Sequence, residues 1–99
     1  MNRKSVFISG AITGCDNFKE LFDVAEARLI QAGYEVTNPT NFPAMLEWGN
    51  AMIACLAALH DVDMLVDLPG WENSPGAQIE HIYAARMGKP VLRLEDAVA

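Results

Sequence analysis

Grouped basic residues are what this sequence most plainly lacks. Seven Lys and Arg stand against 13 Asp and Glu, for a net charge of −6, and only Arg3 and Lys4 are adjacent. A polynucleotide groove gains affinity by releasing counterions to clustered cations, so no nucleic-acid polymer is expected as a partner. Long apolar runs are missing too: the longest, Ala51 to Leu59, covers nine residues, where a membrane-spanning helix needs about twenty. Met1 to Ser5 lead straight into a strand pattern with neither a signal-peptide core nor a cleavage site, so the expected location is cytoplasmic, with no membrane partner. The two cysteines, Cys15 and Cys55, lie forty positions apart without a CxxC pairing, which argues against a zinc site or a disulfide framework and for reduced thiols. Neither GxGxxG nor GxxxxGK[ST] occurs, so neither a dinucleotide fingerprint nor a P-loop is supported. There is no internal repeat, low-complexity stretch or linker.

What is present is a globular composition, 52% apolar and 20% charged over 99 residues, expected to form a single domain spanning 1–99. A chain this short buries roughly two-thirds of its unfolded surface, so self-association is an expected supplement to a thin core. Ser5 to Gly10 is a β-branched and aromatic run closed by glycine, the pattern of a buried strand. Asn17 and Glu20 have the spacing of a capping box. Behind them Phe18, Leu21, Phe22, Ala25, Leu29 and Ala32 recur at helical steps, and Gly33 is placed to end that helix. Tyr34 to Asn38 predicts a second strand, halted by Pro39. A second helix is expected from about Met45 to Leu59; its later half is apolar on all sides, as in a helix covered on two faces. In so small a domain the second cover is expected to be another copy of the chain, giving a homodimer or higher homo-oligomer through 45–59. Asp63 to Leu68 reads as the third strand, Ser74-Pro75-Gly76 as an N-cap and Pro opening a third helix that Gly88 ends, and Pro90 to Leu94 as the fourth strand.

Strand and helix alternating in this way imply right-handed crossovers and an α/β fold: three layers around a parallel sheet of four, or five, strands in the order 2-1-3-4, Rossmann-like or flavodoxin-like. Ligands bind such sheets at the strand C-terminal ends, where the order switches direction. Here the switch falls between strands one and three, so Gly10 to Gly14, Asn38 to Asn41 and Pro69 to Gly76 converge on one rim. The start of the third helix adds N–H groups and a dipole suited to an anion.

Glu80 is the most informative residue on that rim. It shares a helix face with Ala77, Ala84 and Gly88, the small-residue side that can approach the sheet closely. Burial there would raise its pKa, while the helix N-terminus would favour its charged form. The plainer reading is an exposed early-helix Glu placed for the dipole. Trp71 suits either a base-stacking face or a lid over the core. His81 points about 100° away from Glu80 around the helix and reads as surface or oligomer contact. Asp61, Asp63 and Asp67 fall on one face of the third strand, and only Asp67 is near enough to its end to reach the rim. Ligands spread along a buried strand make a poor metal site, so none is expected.

The strings VFISGAITG, GYEVTNP, LPGWENSPGAQIEH and GKPV, with Trp48 to Asp63 between them, resemble the DUF4406 family, small proteins related to the nucleoside 2-deoxyribosyltransferases. The resemblance runs from Ser5 to Leu92. It implies a pocket for a nucleoside or nucleotide, no cofactor, and a catalytic Glu80, four residues after Gly76, attacking the sugar's anomeric carbon. Expected around the substrate are Ser9, Gly10, Ile12, Asn38, Asp67, Gly70, Trp71, Ser74, Gly76 and Ala77. The function so implied is transfer or hydrolysis at the N-glycosidic bond of a (deoxy)nucleoside or its monophosphate, with retention. Departures from the pattern point to the alternative, a non-catalytic nucleotide-binding module. Cys55 stands where members often carry Asp, Ser74 where the transferases carry an acid, and Phe7 where they carry Tyr.

Overall fold

The computed structural model describes residues 3–43 and 47–99. Its elements run β1 (Ser5–Ser9), α1 (Phe18–Gln31), β2 (Glu35–Thr37), α2 (Trp48–Asp61), β3 (Met64–Asp67), α3 (Pro75–Arg86), β4 (Val91–Arg93) and α4 (Leu94–Ala97), with 3-10 turns at Pro39–Asn41 and Trp71–Asn73. All three strand pairings are parallel, and the order is β2-β1-β3-β4. The expected architecture and order are therefore those observed.

Strand alternation divides the core into two layers. Val6, Ile8, Met64, Val66 and Leu68 face α1 and α4, where they pack with Phe22, Ala25, Leu29, Leu94 and Ala97. Phe7 and Leu65 face the opposite side and pack with Leu59, Val62 and Ala84 of the α2–α3 layer. Ser9 follows Phe7 by two and sits beside Asp67 in the register, so both of these polar residues also turn toward α2 and α3. The site grows from that choice of side.

Several local expectations are corrected. The box at Asn17 does not form: its side chain caps no helix N–H, and its Oδ1 lies 3.5 Å from Cys15 Sγ instead. On α1 only Phe22, Ala25 and Leu29 are buried, while Leu21 and Ala32 are exposed, because a single sheet face covers a narrower stripe than the apolar residues span. The second helix is Trp48–Asp61, past the expected end at Leu59; Met45, where it was expected to begin, lies outside the described residues. The C-terminal turn α4 has no counterpart in the periodicity, since one turn is too short to show a period. Gly33 and Gly88 do adopt the left-handed conformation, with φ of 100° and 71°, that favours glycine after a helix. Among the described residues no helix is long and apolar enough to cross a membrane.

Candidate active site

Ser74 shows how the sequence builds the rim. Its Oγ accepts the Ala77 N–H at 3.3 Å, and Pro75 follows at the first helical position, where its missing N–H costs nothing. This cap fixes α3 so that Ala77, Glu80 and Ala84 are buried on one side. The small residues let the helix close on the sheet, and Glu80 enters the gap only 6% exposed.

Beneath it, Ser9 is fully buried and donates its hydroxyl to Glu80 Oε1 at 2.7 Å. Burial pushes the Glu80 carboxyl up to about 7, against the opposing pull of the Ser9 hydrogen bond and of the neighbouring Cys55 thiol. Burial, and then the negative charge of Glu80, push the Cys55 thiol up to about 12. The pair therefore consists of a neutral thiol beside a carboxyl that is ionised in roughly half the molecules near pH 7.

Glu80 forms part of the wall of a cavity of about 390 Å³, within the range of small-molecule sites. Gly10, Ile12 and Thr13 contribute from the loop after β1, Phe22 from α1, and Pro39 from the turn after β2. Trp48, Ala51, Met52 and Cys55 line it from α2, and Ser74 to Ala77 from the start of α3. Two of the rim glycines, Gly10 and Gly76, stand at close approaches. A Cβ on Gly10 would lie 3.2 Å from Leu68 Cβ and 3.3 Å from Phe22 Cζ, and one on Gly76 would lie 3.2 Å from Met52 Sδ.

Of the residues expected around the substrate, Gly10, Ile12, Ser74, Gly76 and Ala77 meet Glu80 at this cavity. Ser9 lies behind Glu80 as its positioning partner rather than on the wall. Asn38 is buried in the loop after β2, donating to Asp23 and Glu26 at 3.0 Å and accepting from Thr40; its neighbour Pro39 reaches the cavity in its place. Asp67, Gly70 and Trp71 line a second cavity of about 440 Å³ with Arg93 and Glu95. Asp67 faces α3, but its Oδ2 is bound to His81 Nε2 at 3.1 Å.

The reading of His81 as surface is corrected: its side chain is only 11% exposed. The imidazole stacks on Trp71 with ring centroids 3.5 Å apart and an interplanar angle of 6°. Its Nδ1 donates to Ala77 O at 2.8 Å. Trp71 lines the second cavity and not the Glu80 cavity, with one face of its indole against His81. The indole at the Glu80 cavity belongs to Trp48. It was missed as a site residue, together with Thr13, Phe22, Pro39 and Met52, although Trp48, Met52 and Cys55 follow the i, i+4, i+7 spacing of one helix face. Asp63 also turns away from the cavity, accepting from Ser5 N at 2.9 Å.

A parallel four-stranded α/β domain with a hydrogen-bonded carboxyl in a glycine-flanked cavity is the class that fold and site define. Two solved structures share the fold. The CMP N-glycosidase BcmB of Clostridium botulinum aligns with a TM-score of 0.67 at 27% identity, over 91% of this chain and 67% of its own. A 2-desoxiribosyltransferase from Leishmania mexicana aligns with a TM-score of 0.70 at 21% identity, over 91% of this chain and 63% of its own. This chain thus spans about two-thirds of either neighbour. No protein of curated function matches the sequence. The chain belongs to the DUF4406 family, a domain of unknown function, whose sequence profile matches residues 4–93.

Proposed function

We propose that this protein cleaves the N-glycosidic bond of a (deoxy)nucleoside or nucleoside monophosphate, with Glu80 as nucleophile. The observation that carries the reading is the buried Glu80 carboxyl, held by Ser9 at the wall of a cavity of small-molecule size. The two neighbours, an N-glycosidase and a desoxiribosyltransferase, support this kind of chemistry. In the first step a Glu80 oxygen bonds to the anomeric carbon, the C–N bond breaks, and the base leaves with the electron pair and takes a proton from solvent. In the second step water or another base bonds to that carbon and frees the carboxylate. Two inversions give net retention. Ser9 fixes the rotamer of Glu80 and favours its ionised, nucleophilic form.

The purified protein is to be incubated with deoxynucleosides and their monophosphates, with and without an acceptor base, and base release followed by chromatography. Turnover is expected, and Glu80→Ala is expected to lower it by about a thousandfold or more, as loss of a nucleophile does. Equal turnover by the variant would defeat the proposal. One observation favours the non-catalytic alternative: the residue beside Glu80 is the neutral Cys55 thiol, which holds a sugar hydroxyl less firmly than an acid would. Melting shifts with nucleosides and no product from any of them would select that alternative. Self-association through α2 belongs to the same proposal, because Trp48 and Ile53 leave 57% and 68% of their surface exposed.

A further inference from the structure

We infer that the Glu80 cavity takes an uncharged nucleoside and discriminates against its 5′-monophosphate, an inference that rests on the function proposed above. A phosphate brings nearly two negative charges and must find cations or free N–H groups to replace its water. None of the seven Lys and Arg side chains lines the cavity.

The two basic side chains on the rim are already committed. Lys19 Nζ donates to Asp23, Thr40 and Asn41 at 2.7 to 3.1 Å. Arg93 lines the second cavity and bonds Asp96. Arg28 forks onto Glu95 on the opposite face of the sheet. The other four stand before β1 or between the end of α3 and β4, at the N-terminal ends of the strands and so opposite the rim.

The helix terminus that the sequence offered for an anion is largely used up as well. Pro75 has no N–H, and the Ala77 N–H is taken by Ser74 Oγ. Among the described residues this leaves Gly76 as the first-turn donor with no partner in the protein. Glu80, once ionised, adds a like charge to the same small space. The remaining lining, Ile12, Phe22, Trp48 and Met52 among it, suits a neutral base and sugar.

The test compares base-matched pairs, each deoxynucleoside with its 5′-monophosphate, by calorimetric binding to Glu80→Gln, which spares the ligand and leaves only the lack of cations to discriminate, and by kcat/KM of the wild-type protein, which keeps the Glu80 charge. The nucleoside is expected to lead by about tenfold or more, the scale of two like charges about 10 Å apart at an effective dielectric constant of about 20. Thr13→Arg, placing a guanidinium on the cavity wall, is expected to raise monophosphate affinity relative to nucleoside. Monophosphates that bind and react as well as nucleosides overturn this inference and leave the N-glycosidic reading standing. A monophosphate disadvantage that Thr13→Arg does not reduce also counts against it. No binding of either ligand overturns both.

Discussion

Glu80 and Ser9 couple the proton to the fold. The Glu80 carboxyl titrates near 7 in the folded protein against an ordinary 4.5, so the folded state holds its proton more tightly than the unfolded state. The resulting stability is fully present below about pH 4.5 and is lost as pH rises through about 7, a change on the order of 3 kcal/mol. The melting temperature is therefore expected to fall between pH 5 and pH 8.5, and Glu80→Gln is expected to flatten that fall. Asp63 and Glu95, whose pKa values are lowered by Ser5 and Arg28 respectively, change charge below this window and do not offset it. Because the Ser9 hydroxyl favours the charged carboxylate, Ser9→Ala is expected to move the midpoint of the fall to higher pH. The same shift should appear in the carbon-13 resonance of the Glu80 carboxyl. An unmoved midpoint would show that Ser9 merely fills space. At this scale the sequence was only half legible. The face shared with Ala77 and Ala84 pointed to an inward Glu80, yet Ser9 could not be distinguished as its support rather than a substrate contact. That distinction depends on how deeply β1 lies beneath α3, which strand alternation does not reveal.

At the scale of elements, the rim glycines Gly10 and Gly76 differ in what a methyl group would meet. On Gly10 it would press on Leu68 Cβ and the Phe22 ring, both parts of the packed core, whereas on Gly76 it meets only the end of the Met52 side chain. Gly10→Ala is thus expected to cost about 1–3 kcal/mol, as overpacking does. Gly76→Ala should cost less, because a methionine can swing aside. Urea midpoints compare the two, and a reversed order would contradict the packing described. The strands and the α3 cap were legible because each rests on local chemistry: β-branched runs, Ser-Pro-Gly, and glycine after a helix. Asn38, Asp67 and Trp71 lie on the expected rim but do not line the Glu80 cavity. The rim is wider than one pocket, and the contacts dividing it, His81 with Trp71 and Asp67 above all, join residues 10 and 14 positions apart. Helical angle alone separated His81 from Glu80 correctly and still misjudged its burial, since the loop carrying Trp71 folds back over that face.

For the whole molecule, the strand order followed from alternation and crossover handedness, which operate without knowledge of side-chain contacts. The proposed self-association is the part that a mass measurement has to test. Ile53 on α2 and Ile82 on α3 are 68% and 62% exposed, and Trp48 is also largely bare, on a chain of modest size. Light scattering behind size-exclusion chromatography is expected to give a mass of at least two chains, and Ile53→Lys to give one; a monomeric wild-type protein would remove self-association from the proposal. The Ser9–Glu80 bond spans 71 positions and joins the first strand to the last long helix. Any breathing motion that lifts α3 from the sheet wets that carboxyl and, near neutral pH, releases its proton. Closing takes a proton back in the half of the molecules that hold Glu80 protonated near pH 7, so the balance between open and closed forms of this layer depends on acidity.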